Sequence, residues 1–292
     1  MIQHQKDLIK IKNYIDKMPS LPITVTKIIE ICNNPATSPV DLNKVIRVDP
    51  VLMGRVLKLI NSAYYGLSEK VTSLVRAIIM LGINTVKNLA LSTAVLDTLE
   101  KAGTFTALNT KGFWRHSLGV GVTAKYIAQK RGISSGDLEE YFITGLLHDI
   151  GKIPLDNVFP EKYIDALSES DRYKSPLYKS EENTFGFNHS DIGGVISSAW
   201  KLGSNIGGII KYHHDPLEYN GNNTDVLFSI VLADYWMNIS EIGFSGNRYP
   251  EKPHENIYTS LKVSDDLLDE LDENVEQEID KAEIFLNLHQ KD

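Results

Sequence analysis

One cysteine, Cys32, is all that this chain of 292 residues contains. No disulfide can form within it, so its stability has to come from a packed core, and a reducing cytoplasm suits such a composition. Cys32 sits in the apolar run IIEIC, where a small buried hydrophobe is the expected role rather than a nucleophile. Long apolar stretches are missing as well. Runs such as AIIMLGI fall far short of the ~20 residues that a membrane-spanning helix needs. The N-terminal MIQHQKDLIKIKNY has no apolar segment after its lysines, so no signal peptide and no membrane partner are expected. There is no basic excess either: 30 Lys and Arg face 38 Asp and Glu, a net charge of −8. With no basic stripe or aromatic platform, nucleic acid is not an expected partner. Internal repeats, GxGxxG and P-loop patterns are absent. The small residues of LGVGVTAK and SDIGGVISS fall at helical spacing and predict close helix packing rather than a phosphate cradle.

Strand-like alternation is scarce too, and what remains is helical. With 42% hydrophobic and 23% charged residues, the chain has the composition of a folded protein. Residues 8–32 carry apolar positions at helical spacing, interrupted at MPSLP, where Pro19 and Pro22 force an extended turn. Ser38, with Pro39 and Asp41 behind it, is a helix start signal. Asp49-Pro50 opens VLMGRVLKLINSA in the same manner, and Tyr65-Gly66 is expected to end it. Gly82 closes SLVRAIIML, and INTVKNLALSTAVLDTL follows. At residues 101–112, KAGTFTALNTKG loses the periodicity, and a domain boundary is expected there. Beyond it, FWRHSLGVGVTAKYIAQKRG and SGDLEEYFITGLLHDIGKIPL each predict one helix. A looser stretch follows over 156–182, then HSDIGGVISSAWKL, IGGIIKYHH and VLFSIVLADYWMNI, with loops at 216–224 and 243–256. The last segment, SDDLLDELDENVEQEIDKAE, holds ten acids against one lysine. Leu267, Leu271, Val275 and Ile279 give it one apolar face, to be packed on the body or on a partner. The expected fold is all-α: a helical bundle over 1–105, a second helical domain over 106–260, and an acidic C-terminal helix over 261–292.

The chemistry is concentrated in histidine. Five of the eight histidines lie between His116 and His214. They form the series His116, His148-Asp149, His189, His213-His214, completed by Asp234. Histidine and aspartate are ligands for Zn, Fe, Mn or Ni. Neighbours on a helix point ~100° apart, so His148 and Asp149 can reach one ion, and the two oxygens of Asp149 can bridge two. His116, 32 residues before His148, fits the opposite member of an antiparallel helix pair. Asp234 stands in the apolar helix VLFSIVLADYW, where an unpartnered carboxylate would be costly. His189, His213 and His214 would add a second ion. Lys152 lies one turn beyond His148. It is either a surface lysine or a contact to a phosphate oxygen.

With LLHDIGK at its centre, the H…HD…D series resembles the HD phosphohydrolase superfamily. MPSLPITVTKIIEICNNP, VIRVDPVLMGRVLKLINSAYYG, SLVRAIIMLG, FWRHSLGVGVTAKYIA, HSDIGGVISSAWKL and IIKYHHDP narrow this resemblance, over roughly residues 15–240, to its bacterial regulatory HDOD branch. NSAYYG followed by AIIMLG separates that branch from other HD proteins. The resemblance implies an N-terminal helical bundle packed against an HD-like bundle. It also implies a role in signalling, often without demonstrated catalysis. His116, His148, Asp149 and Asp234 match the four-ligand HD pattern. His189, His213 and His214 match the additional ligands of the related HD-GYP cyclic-di-GMP phosphodiesterases. The GYP element itself is absent: DPLEYNGNNTDV follows His213-His214.

Two functions follow as expectations. One is a cytoplasmic signalling module whose HD pocket holds one or two divalent ions and which engages a signalling protein or a small phosphorylated ligand. The other is a metal-dependent phosphohydrolase of a nucleotide or cyclic dinucleotide, with Asp149 and Lys152 in catalytic roles. Specificity would then come from residues 156–188 and 216–224.

Overall fold

The computed structural model describes residues 2–34, 36–101 and 105–288. No strand occurs among them. The first half comprises α1 (Ile2–Ile15), α2 (Ile23–Cys32), α3 (Pro39–Ile46), α4 (Pro50–Ile60), α5 (Leu74–Leu81) and α6 (Ile83–Lys101). The expected start signals act as written. Ser38 and Asp41 cap α3 reciprocally behind Pro39, Asp49 accepts the N–H of Leu52, and Gly82 ends α5 at φ +89°. The fourth helix stops at Ile60, earlier than Tyr65-Gly66. Asn61 ends it, because its amide bonds the carbonyls of Leu57 and Val71 at 2.7 and 2.8 Å and accepts the N–H of Val71. A side chain that serves both a helix end and a distant loop fixes the NSAYYG segment in place.

The second half comprises α7 (Thr110–Lys130), α8 (Leu138–Leu147), α9 (Lys152–Val158), α10 (Pro160–Tyr173), α11 (Leu177–Phe185), α12 (His189–Ala199), α13 (Ser204–Tyr212), α14 (Thr224–Ile239), α15 (Glu255–Leu261), α16 (Asp265–Ala282) and α17 (Ile284–Asn287). At its centre α7 lies on α8, flanked by α14 and α16. Two glycines permit this. A Cβ on Gly121 would lie 2.5 Å from the Phe142 carbonyl, and one on Gly145 would lie 2.6 Å from Gly121 Cα. LGVGVTAK is thus packing surface. The acidic α16 packs its Leu271, Val275 and Ile279, all nearly fully buried, on α7. Arg115 of α7 pairs with Asp280 and Glu283 on its polar side.

One apolar cluster runs from Ile11 to Leu288, and α1 crosses over to α9 and α12. Residues 102–104 of the expected boundary lie outside the described residues. Just beyond them, the buried Asp156 accepts the N–H groups of Thr106, Ala107 and Leu108. Tyr64 of NSAYYG joins the halves differently. It meets Phe142 of α8 and Phe285 of α17 at 5.7 and 5.6 Å. The ammonium of Lys125, ion-paired with Glu139, stands 4.5 Å from its ring centre. Cys32 is half-buried against the core. Burial lifts its thiol to about 11, against the lowering effect of Lys87, which makes it a poor nucleophile.

Two expectations are corrected. SGDLEEYFITGLLHDIGKIPL is not one helix: it ends at Leu147 and restarts at Lys152, with His148–Gly151 in a turn. Pro154 explains this, since inside a continuous helix it would clash with the carbonyl of residue 150, whereas in a first turn it is tolerated. The stretch 156–182 is not loose but forms α10 and most of α11. The buried face of α10 is Tyr163, Ala166 and Ser170, while Ile164 beside it is exposed, so its apolar residues do not mark the buried side.

The two glycine classes make opposite predictions. Gly145→Ala should lower stability to urea unfolding by ~1–3 kcal/mol through overpacking. Gly54→Ala, in α4 with nothing within 4 Å of its added Cβ, should be neutral or stabilising by ~0.5–1 kcal/mol.

Candidate functional site

The turn at 148–151 exists where five elements meet. α7 supplies His116, α14 supplies Asp234, α12 begins with His189, and α13 ends against His213 and His214. Gly151 is what allows α12 so near, since a Cβ there would fall 1.9 Å from the His189 carbonyl. The result gathers the seven sequence-predicted ligands into one cluster centred on Asp149. Oδ2 of Asp149 lies 3.4 Å from His148 Nε2 and 4.0 Å from His116 Nε2. Its Oδ1 lies 3.0 Å from His189 Nε2 and 3.9 Å from His213 Nε2. Asp234 Oδ1 closes the first group, 3.0 Å from His116 Nε2 and 3.5 Å from His148 Nε2. His214 Nε2 closes the second, 2.9 Å from His189 Nε2. The antiparallel pairing expected of His116 and His148 is observed, with ring centres 5.7 Å apart.

Three of the five imidazoles are aimed by their other nitrogen. Nδ1 of His148 donates to the Gly145 carbonyl at 2.7 Å, and Nδ1 of His213 to that of Ile210 at 2.7 Å. Nδ1 of His189 donates to Glu181 at 2.5 Å. That leaves Nε2 facing the centre, the arrangement in which histidine binds a metal. His148 Nε2 is buried with no hydrogen-bond partner in the protein. The ligand atoms of His189, His213 and His214 lie within 4.8 Å of one another, as do those of His116, His148 and Asp234, and of His148, Asp149 and His213. Such groups could hold metal ions.

A second ring of polar groups was not foreseen. Asn238 donates to Asp234 Oδ1 at 2.8 Å and accepts from Ser245 Oγ at 2.7 Å. The carbonyl of Ser245 accepts from Lys152 Nζ at 3.1 Å, and Nζ donates to Asp149 Oδ2 at 2.6 Å. The two carboxylates are therefore linked by one hydrogen-bonded path. Lys152 is not a surface lysine. It is buried, with two of its N–H bonds engaged. Asn238, at i+4 from Asp234 on α14, was legible in principle. Glu181 and Ser245 carried no sequence signal.

Burial opposes charge throughout. It lowers His213 to about 3, reinforced by His148 and His189, and holds His214 well below its ordinary value. It also lowers His116, against the hydrogen bond that its Nε2 donates to Asp234. At His189, burial is outweighed by Glu181 and Asp149, and the ring is lifted to about 9. At His148 the two aspartates likewise win. Burial would raise Asp149, yet His148, Lys152 and His189 hold it well below the carboxylate range. His116 and His148 do the same for Asp234.

A pocket of ≈350 Å³ opens onto His213, His214 and Asp234. Tyr178 is stacked on the His214 ring at 4.3 Å and forms one wall. Residues 215–218 and 250–254 form others. The 216–224 loop thus contributes as expected. From 156–188 only Pro176 and Tyr178 line the pocket, and residues 250–254 take the larger share.

The lifted pKa of His189 has a testable sign. Its protonation contributes stability that is complete below pH ~6.5 and lost as pH rises through about 9. The melting temperature of chelator-treated protein should therefore fall across that window. Glu181→Gln should flatten the fall and weaken metal retention by ~10–100-fold, read by competition with a chromophoric chelator.

Comparison with known proteins fits this geometry. The HDOD domain model matches residues 18–216. An uncharacterized protein of Treponema pallidum (strain Nichols) is 25% identical over 223 residues, 75% of this chain and 42% of its own length. The chain thus spans less than half of that curated relative. An HDOD domain protein of unknown function from Geobacter sulfurreducens superposes with a TM-score of 0.75 at 25% identity, covering 96% of this chain and 98% of its own. A protein of Shewanella amazonensis SB2B, described as a candidate phosphohydrolase, gives 0.69 at 20% identity, covering 96% of this chain and 98% of its own. At that identity the likeness shows the fold alone. No single described helix is long and apolar enough to cross a membrane. With a family match from residue 18 to residue 216 of 292, and a superposition over nearly the whole of a solved relative, the chain belongs to the HDOD domain family.

Proposed function

We propose that the chain is a bacterial, cytoplasmic regulatory module that signals through a divalent-metal pocket of HD type. His116, His148, Asp149 and Asp234 would hold one ion, and Asp149, His189, His213 and His214 a second. The observation that carries this reading is the convergence of His148 Nε2, buried and without a well-formed hydrogen bond, on the carboxylates of Asp149 and Asp234 at 3.4 and 3.5 Å. Two largely buried carboxylates gathered around imidazole nitrogens are costly to desolvate, and a divalent ion held between them would offset that cost. The spacings support the same reading. Tetrahedral ligands at ~2.0–2.1 Å from a metal stand about 3.3 Å apart, near the 3.4 Å between His189 and His213 Nε2. The donor set suits Fe, Mn, Zn or Ni alike.

Divalent ions held there would act as Lewis acids toward phosphoryl oxygens. The chain's own groups prepare the place. Asp149 offers one oxygen to each histidine group, and Lys152 keeps it ionised and oriented. One N–H of Lys152 remains for a ligand oxygen. The pocket beside His213 and His214 would admit a small phosphorylated ligand. Its volume is at the low end for ligand sites, which favours a single nucleotide over a cyclic dinucleotide.

Hydrolysis is the second reading, favoured by the direct opening of that pocket onto ligands of both groups. Elemental analysis of untagged protein, purified without chelator, tests the pocket itself. About two equivalents of transition metal are expected in the native chain, and fewer than half of that in Asp149→Asn. Absence of metal even after anaerobic loading with Fe or Mn would overturn the proposal. Turnover of bis(p-nitrophenyl) phosphate by the loaded protein, lost in Asp149→Asn, would select the hydrolase. Stoichiometric metal without turnover would select the regulatory module.

A further inference from the structure

We propose that the groove between α1, α12 and α13 is a docking surface for an acidic amphipathic helix of a protein partner. The groove encloses ≈980 Å³ and shares no lining residue with the mouth beside His213 and His214. Leu8, Phe187 and Val195 give it an apolar floor, and the glycines at 194, 207 and 208 let the Lys211 stem, Ser197 and the Tyr219 ring lie close over the backbone. Lys12, Lys201 and Lys211 stand around this floor, all exposed. No ion pair engages them among the described residues. Asp191 is the one acid in the lining, and its carboxylate accepts the N–H of Asn188 as part of the α12 cap. The groove is thus cationic in a chain of net charge −8.

The placement of the lysines selects the occupant. Lys201 follows α12 and Lys211 lies in the last turn of α13, so they stand at opposite ends of a nine-residue helix, ~12 Å apart along its axis. Cations spaced along an apolar trough suit a helix that lays leucine-like anchors on the floor and presents acids to the rim. Charge complementarity of this kind also speeds encounter and rejects basic competitors.

The groove is built from the two helices that carry the second histidine group. α12 starts at His189, and α13 ends against His213, whose Nε2 atoms are 3.4 Å apart. A helix wedged between α12 and α13 changes that spacing, so docking and metal binding are linked reciprocally. This linkage, unlike the docking itself, rests on the metal pocket proposed above.

The test titrates the full chain with two fluorescent synthetic helices, both with leucine on one face and with either glutamate or lysine on the other. The glutamate helix should bind and the lysine helix should not. Three rim pairs at ~0.5 kcal/mol each predict that combined Lys12→Gln, Lys201→Gln and Lys211→Gln weakens binding about tenfold. An equal change of charge elsewhere, Lys27→Gln, Lys58→Gln and Lys111→Gln, should leave it nearly unchanged. Equal weakening in both triple variants, equal binding of both helices, or full displacement by millimolar inorganic phosphate would overturn the docking surface. Repeating the titration with chelator and with Mn²⁺ separates the two claims. A several-fold difference supports the linkage. Identical binding in both overturns the linkage while docking stands.

Discussion

A single buried carboxylate organises the second half of this protein. Asp149 is almost fully buried, so its charge is supported by a lysine and by histidines from three other elements. Those groups reach it where the chain tightens from α-helix into successive i→i+3 turns between Leu147 and Ile153. These turns put the two oxygens of Asp149 on different sides and let the start of α12 rest on a glycine. The same demand explains the Gly121–Gly145 contact. Without it α7 would stand further from α8, and His116 would lose its place opposite His148. Packing and electrostatics therefore set one another: the close helix contact is what makes the imidazoles converge, and converging imidazoles need the carboxylates that the packing buries.

The supporting shell has a similar economy. The path from Asp234 through Asn238, Ser245 and Lys152 to Asp149 ties both carboxylates to the loop beyond α14. A site whose two halves share one hydrogen-bond path responds as a unit. Displacement of that loop reaches both groups, although it contributes no candidate ligand.

Much of this was legible in the sequence, for identifiable reasons. Ser38, Asp49 and Gly82 act through local hydrogen bonds and backbone conformation, which a short stretch of chain specifies by itself. The stripe of Leu271, Val275 and Ile279 announced its buried face by spacing. The seven His and Asp residues were visible because such residues are rarely gathered in a core without a task. What escaped was non-local. The interruption of α8 depends on Pro154 together with the approach of α12 to Gly151. The end of α4 depends on a contact between Asn61 and Val71. Glu181 is an ordinary helix acid until α11 is placed against His189, and Tyr178 acquires its role only when His214 lies under it. In α10 the apolar Ile164 is exposed while Ser170 is buried, and α11 buries Ser180 and Glu181 beside Leu177 and Phe185, so hydropathy alone does not mark their buried faces.

The three N–H bonds received by Asp156 give α9 a mechanical meaning. α9 begins at Lys152, within the stretch that carries His148 and Asp149, and holds the start of the connection between the two halves by its carboxylate at Asp156. It is in effect a short crank, with the candidate metal ligands at one end and the connecting segment at the other. Rotation or translation of the HD turn by a fraction of an ångström must be absorbed at residues 106–108 or passed on through them. A chain built in this way needs no direct contact between a ligand in the pocket and the N-terminal bundle for the bundle to register its arrival.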